Sequence, residues 1–148
     1  MFRATSIHTI DEKGRIIIPA RFRDVIKANS SEGVMVSGKD KHLLAFTFDE
    51  WRKIEANILA QAQKDDSIRR FIRFFIGAAA GCNCDKQDRI LIPPTLRDYA
   101  GLQHEIVLVG VLDHFEIWSK ENYDKEFQVY EDDLQNKEVR DKIAKLGV

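Results

Sequence analysis

Asp11-Glu12-Lys13-Gly14-Arg15-Ile16-Ile17-Ile18-Pro19-Ala20-Arg21-Phe22-Arg23-Asp24 returns as Asp85-Lys86-Gln87-Asp88-Arg89-Ile90-Leu91-Ile92-Pro93-Pro94-Thr95-Leu96-Arg97-Asp98, at a constant offset of 74. The first Asp, the Arg, two of the three Ile, the Pro, the last Arg and the last Asp are the same in both copies. Duplication of one supersecondary unit within 148 residues predicts two half-domains sharing a core across a pseudo-two-fold axis. Each box has internal logic. Residues 3–10 alternate like a strand, Asp11 and Gly14 supply turn chemistry, and Arg15–Ile18 is a β-branched run suited to the returning arm of a hairpin. Pro19 ends the strand and opens a short helix with Phe22, Val25 and Ile26 on one stripe; Leu96, Tyr99 and Ala100 repeat that stripe.

Outward from the boxes the parallel continues. Strands are expected at Val34–Ser37 and His42–Phe46, then at Ile106–Val109 and Phe115–Trp118, with the offset drifting to 72. Thr47-Phe48-Asp49-Glu50 matches a capping box with Phe46 and Trp51 as its hydrophobic staple; Ser119 is the corresponding cap, with Trp118 and Tyr123 as the pair. A helix is predicted from Thr47 to about Gln63, buried through Trp51, Ile54, Ile58 and Leu59, with a break at Lys64-Asp65-Asp66. Ser67–Ile76 reads as a second helix. Ile68, Phe71, Ile72, Phe75 and Ile76 are apolar, while Arg69, Arg70 and Arg73 form a basic ridge, so it needs a core or a neighbouring chain to pack against. Residues 120–146 read as polar helix with sparse anchors at Phe127, Tyr130, Leu134, Val139 and Ile143.

The composition, with 44% hydrophobic and 32% charged residues, suits a soluble globular chain. It begins at Met1 with a polar stretch and has no apolar run near 18 residues, so neither a signal peptide nor a membrane span is expected. Cys82 and Cys84 are too close for a relaxed disulfide and lack partners for a four-ligand metal site; they are expected to be structural thiols in a reducing cytoplasm. His8, His42, His104 and His114 show no ligand spacing, and no metal or cofactor is expected. No nucleophile–base set or glycine-rich phosphate loop is present, so an enzyme with a small-molecule substrate is not expected. A net charge of −1 is unlike a generic nucleic-acid binder. Residues 1–27, however, carry six bases against three acids, and residues 116–148 nine acids against six bases, so an anion-binding face must be local and N-terminal.

Two Asp-x-x-x-Arg boxes, each leading through an Ile-x-Ile-Pro run into an Arg-bearing helix, resemble the MraZ family of AbrB-like, swapped-hairpin transcription factors. Met1-Phe2-Arg3 and the Phe115-Glu116-Ile117-Trp118 ending extend the likeness over almost the whole chain. The resemblance implies a mainly β fold with added helices: a swapped-hairpin β-barrel made by half-domains 1–77 and 78–148. It also implies a ring-like homo-oligomer in the cytoplasm and nucleoid. The implied activity is sequence-specific regulation through short G-containing direct repeats in double-stranded DNA upstream of its own operon, in the division and cell-wall gene cluster. Two other readings stand beside it: an oligomeric adaptor that does not bind DNA, and an antitoxin-type AbrB-like regulator.

The residues fit such an interface. A two-stranded ribbon enters the major groove, where arginine pairs bidentately with guanine. Arg15, Lys13 and Gly14 form the expected reading tip, with Arg3, Arg21 and Arg23 reaching phosphates and Lys86 and Arg89 as the second copy. Asp11 and Asp85 are expected to hold the turns and orient their arginines, although simple ion pairing within each hairpin is the competing account. Arg23 and Arg97 are divided between pairing with Asp24 and Asp98 and touching DNA. The second box has Asp88 in place of Gly and Thr95 in place of Arg21, so the first box is expected to make most of the contact.

Overall fold

The computed structural model describes residues 1–61 and 65–148. In the first half, β1 (Thr5–Thr9), β2 (Arg15–Ile17) and α1 (Ala20–Ala28) precede β3 (Gly33–Lys39), β4 (His42–Thr47) and α2 (Phe48–Ala60). A linking helix α3 (Asp66–Phe75) follows. The second half repeats the order as β5 (Ala80–Asn83), β6 (Arg89–Leu91), α4 (Pro94–Ala100), β7 (Glu105–Gly110), β8 (Phe115–Ser119) and α5 (Lys120–Asp133), with α6 (Lys137–Ala144) at the end.

The halves exchange strands. The large antiparallel sheet runs β1-β7-β8-β4-β3-β5, so the first strand of each half pairs with a strand of the other half. β2 and β6 form a separate two-stranded ribbon, also between halves. The expected hairpin of residues 3–10 with 15–18 is therefore not formed. Only the isolated bridge Ile10↔Ile16 joins its arms, which part to β7 and β6. Burial explains the exchange: Ile16, Ile18, Ile90 and Ile92 are all fully buried, and one hairpin alone could not enclose them. A closed barrel is not shown; β1 and β5 end the hydrogen-bonded order and the ribbon stands apart.

The core is common to both halves. Phe2, Phe22 and Phe115 meet with ring centroids 4.8 to 5.4 Å apart, and Leu43, Leu96, Ile106, Leu108 and Ile117 close around them. β4 is buried on both faces: Leu43 and Ala45 point into this core, while Leu44 and Phe46 join Trp51 and Phe75 in a second cluster. Fully burying each large apolar side chain contributes on the order of 1.5–3 kcal/mol before chain entropy is counted, and most of that is lost if the halves separate.

Helix ends follow local chemistry. Thr47 accepts from the Glu50 amide at 3.3 Å and Phe46 packs on Trp51, as the capping box requires. Ser119 accepts from the Asn122 amide at 3.1 Å. Pro19 sits one place earlier than expected, as the N-cap of α1. α2 buries Trp51 and packs Ile54 one turn on against the second cluster, but leaves Leu59, off that stripe, 85% exposed. α2 ends at Ala60 with Gln61 as its C-cap, before the expected end near Gln63; Gln63, and Lys64 of the expected break, lie outside the described residues, and Asp65 caps α3. The single polar helix foreseen for 120–146 is two, interrupted at Leu134–Asn136, because the Asn136 carboxamide caps a new start by accepting from the Glu138 and Val139 amides.

Candidate nucleic-acid interface

Both box turns are built the same way. The Asp11 carboxylate accepts from the Lys13 amide at 3.0 Å and the Arg15 amide at 2.8 Å, while Gly14 takes φ +90° and donates to the Asp11 carbonyl. Asp85 accepts from the Gln87 and Arg89 amides at 2.8 and 2.9 Å, with Asp88 at φ +61°. Each carboxylate also accepts a hydrogen bond from the Nε–H of its own arginine, at 2.6 Å for Arg15 and 2.9 Å for Arg89. The amide of Arg15 first, and then, against some desolvation, its guanidinium and the Lys13 amide, hold the Asp11 carboxyl below its ordinary value. The amide of Arg89 leads the same effect at Asp85. Holding each arginine by Nε leaves both terminal amino groups pointing onward, the arrangement that grips two acceptors side by side.

Strand register puts both arginines on one surface. Arg15 lies opposite Leu91, Ile16 opposite Ile90 and Ile17 opposite Arg89. Ile16 and Ile90 are 74 apart, so the pseudo-two-fold axis passes between them. Alternation turns those two inward and leaves Arg15, Ile17, Arg89 and Leu91 on the outer face, with Ile17 and Leu91 57% and 56% exposed. Diagonal neighbours across such a ribbon are about 7–8 Å apart, so the arginines flank a small apolar centre.

Each turn also rests on the opposite half. The Ile92 amide donates to the Gly14 carbonyl at 2.8 Å, and the Ile18 amide to the Asp88 carbonyl at 2.9 Å. Above each turn lies an arginine from the other half's helix. Arg23 pairs with the Asp88 carboxylate, while Arg97 crosses Gly14 and donates Nε to the Ile92 carbonyl at 3.1 Å. Neither arginine takes its sequence neighbour as partner: the expected pairs with Asp24 and Asp98 are absent among the described residues. Asp88, though next to Arg89 in sequence, likewise turns to Arg23, and Arg89 pairs with Asp85.

The other residues expected at the interface lie elsewhere. Arg21 hydrogen-bonds Ser6 at 2.7 Å, lies over the Phe22 ring and reaches the Arg3 carbonyl, so Arg3 and Arg21 belong together at the start of β1. At about 3.3 Å per residue, β1 puts them on the order of 20 Å from the Lys13–Arg15 turn. Burial, then the charge of Arg21, lowers the pKa of His8 beside them. Lys86 is exposed on the second turn. The sequence leaves Arg97 divided between pairing with Asp98 and touching DNA, because its position depends on which half's turn its helix covers; it lies over the first turn.

Two further clusters have structural character. His42 stacks on Trp118 at 4.1 Å and His114 on Phe46 at 5.0 Å, symmetry-related pairs at an offset of 72. Glu116, in the place Leu44 holds in the first half, bonds His42 at 3.1 Å and accepts from the Trp118 indole at 3.0 Å. Burial disfavours the charged imidazole of His42, but Glu116 and the Asp40 carbonyl reverse this and raise its pKa. Cys82 is a buried free thiol whose pKa burial pushes up to about 11, which suits a packed side chain and not a nucleophile.

Comparison with known proteins agrees with the duplicated architecture. The family model for MraZ protein, whose description adds an antitoxin-like resemblance, matches residues 1–74 and again 75–144. The chain is 62% identical, over the full length of both, to a protein of Desulforapulum autotrophicum named transcriptional regulator MraZ. A protein of that name from Desulfosudis oleivorans is 49% identical over the full length of both chains. Another from Syntrophobacter fumaroxidans is 40% identical over 90% of this chain and 89% of its own. With two matches in tandem spanning nearly every residue, and relatives aligned end to end, the chain belongs to the MraZ family.

Proposed function

We propose that this protein is a sequence-specific transcriptional regulator that lays the β2–β6 ribbon in the major groove of double-stranded DNA. The single observation that carries the reading is the ribbon's outer face. It presents two arginines, each held through Nε by an aspartate, symmetrically about one axis. A ribbon of this width fits the major groove, and free terminal amino groups match the O6 and N7 acceptors of guanine. The names of the relatives support regulation of transcription as the purpose. The half-domains 1–77 and 78–148 act as one swapped-hairpin unit in this reading, each lending the other a strand.

One ribbon on a chain of net charge −1 neutralises few phosphates, so affinity has to come from repetition. A ring-like homo-oligomer reading direct repeats upstream of its own operon supplies it through effective concentration. Ile68, Phe71 and Phe74 of α3, 45%, 40% and 69% exposed, are surface that self-association would cover. Footprinting of the purified protein on the DNA upstream of its gene, alongside its light-scattering mass, tests the proposal. Protection of two or more evenly spaced short repeats by a multi-chain species is expected. A monomer, or equal affinity for one repeat and for several, refutes the avidity argument; no protected segment leaves the adaptor reading.

A further inference from the structure

We propose that Arg97, carried by the second half, completes the DNA site of the first box by binding a backbone phosphate, and that Asp88 closes the equivalent site at the second box. This rests on the ribbon reading above and adds residues from outside the ribbon. Lys13 and Arg97 line one cleft of about 490 Å³ beside the first turn, with Leu91 and Pro93 as apolar wall and Asn83 at its rim. No carboxylate lines that cleft, and Glu12, the turn's remaining acid, is outside it. Among the described residues Arg97 has no acidic partner; its Nε is fixed to the Ile92 carbonyl, which aims the rest of the guanidinium without neutralising it. Two cations in a concavity next to a groove-reading strand form a phosphate seat.

The absence of a side chain at Gly14 creates this seat. A Cβ there would stand 2.6 Å from the Arg97 Nε, so any other residue displaces the arginine. At the pseudo-symmetric position the second box has Asp88, whose carboxylate captures Arg23. Arg23 and Lys27 line a cleft that also contains Asp85, Asp88 and Glu32, so three carboxylates outnumber its two cations and repel phosphate. Two differences between the turns, Asp88 for Gly14 and Gln87 for Lys13, thus convert an open cationic seat into a closed ion pair. The ribbon presents an arginine on each side of its axis and a phosphate clamp on one side only, which gives a pseudo-symmetric protein a polarity on DNA, as a direct repeat demands.

The test is fluorescence anisotropy on a labelled duplex of the footprinted upstream DNA, from 0.05 to 0.3 M salt, with a scrambled duplex beside it. Releasing one phosphate's counterions changes the slope of log K against log salt by about 0.9, equal to roughly fivefold in affinity at 0.15 M. Arg97→Gln is expected to lose that much on both duplexes, since a phosphate contact carries no sequence information, and Arg97→Lys to retain the slope. Asp88→Gly restores the glycine of the first turn and releases Arg23, with Gln87 still standing in the place of Lys13, and is expected to gain a similar factor and to steepen the slope. Melting temperatures of all variants separate folding from binding. If Arg15→Ala abolishes specific binding while Arg97→Gln matches wild type, this inference falls and the ribbon reading stands. If Arg15→Ala has no effect, the ribbon reading itself falls. An Asp88→Gly protein that binds no better overturns the closure at the second box.

Discussion

Replacing Arg15 by Ala, with Arg89→Ala as its partner experiment, is the sharpest probe of the ribbon. Asp11 occupies only Nε of Arg15, so two terminal amino groups are available to one guanine edge. A bidentate pair of this kind discriminates by about 1–3 kcal/mol. At 1.4 kcal/mol per tenfold, that is about 5- to 150-fold in affinity for each box engaged. Arg89 has the same geometry on the same face, but its turn carries Asp88 where the first has Gly14. A carboxylate at that position opposes close approach of phosphates, so Arg89→Ala is expected to cost no more than one phosphate contact, about fivefold at 0.15 M salt. Anisotropy titration of the footprinted duplex and of a duplex with its guanines replaced measures both. Arg15→Ala should bind the two duplexes alike. Neither side chain belongs to the core, and surface changes of about 0.5 kcal/mol move the melting temperature by at most about 2 °C, which keeps folding out of the comparison. Equal losses from the two substitutions refute the asymmetry between boxes; loss without change in base preference refutes guanine reading.

Gly14→Ala should lower the melting temperature by about 2–8 °C, from the roughly 1–2 kcal/mol cost of a left-handed alanine plus displacement of Arg97. Gly101→Ala, at φ +66° with nothing within 4 Å of its Cβ, isolates the backbone cost. If calorimetry finds Gly14→Ala no worse than Gly101→Ala, the Arg97 contact has no energetic weight. The buried His42–Glu116 pair predicts a stability plateau in pH. A raised His42 pKa adds stability that is full below its ordinary 6.5 and lost as pH climbs through the folded value. A lowered Glu116 pKa adds stability that is full above 4.5 and lost as pH falls through the folded value. Melting temperature should therefore be highest between those limits, and Glu116→Gln should flatten the decline on the alkaline side. An unchanged alkaline slope in Glu116→Gln would refute the role of this pair.

Much of this protein can be read along the chain, because its determinants are local. The 74-residue repeat, the Asp-held turns, the positive φ at Gly14 and the Thr47 and Ser119 caps all depend on residues within a few positions of each other. Arginines at 15 and 89 stood out for the same reason. What tertiary structure alone decided is which half each piece serves. Whether β2 runs on beside β1 in a hairpin or crosses to β6 is invisible to periodicity, since either pairing buries the same face; only enclosing four isoleucines in one core selects the exchange. That choice carries the rest with it. It gives Arg23 to Asp88 and brings Arg97, 82 residues further along the sequence, across the first box's Arg15 turn at Gly14.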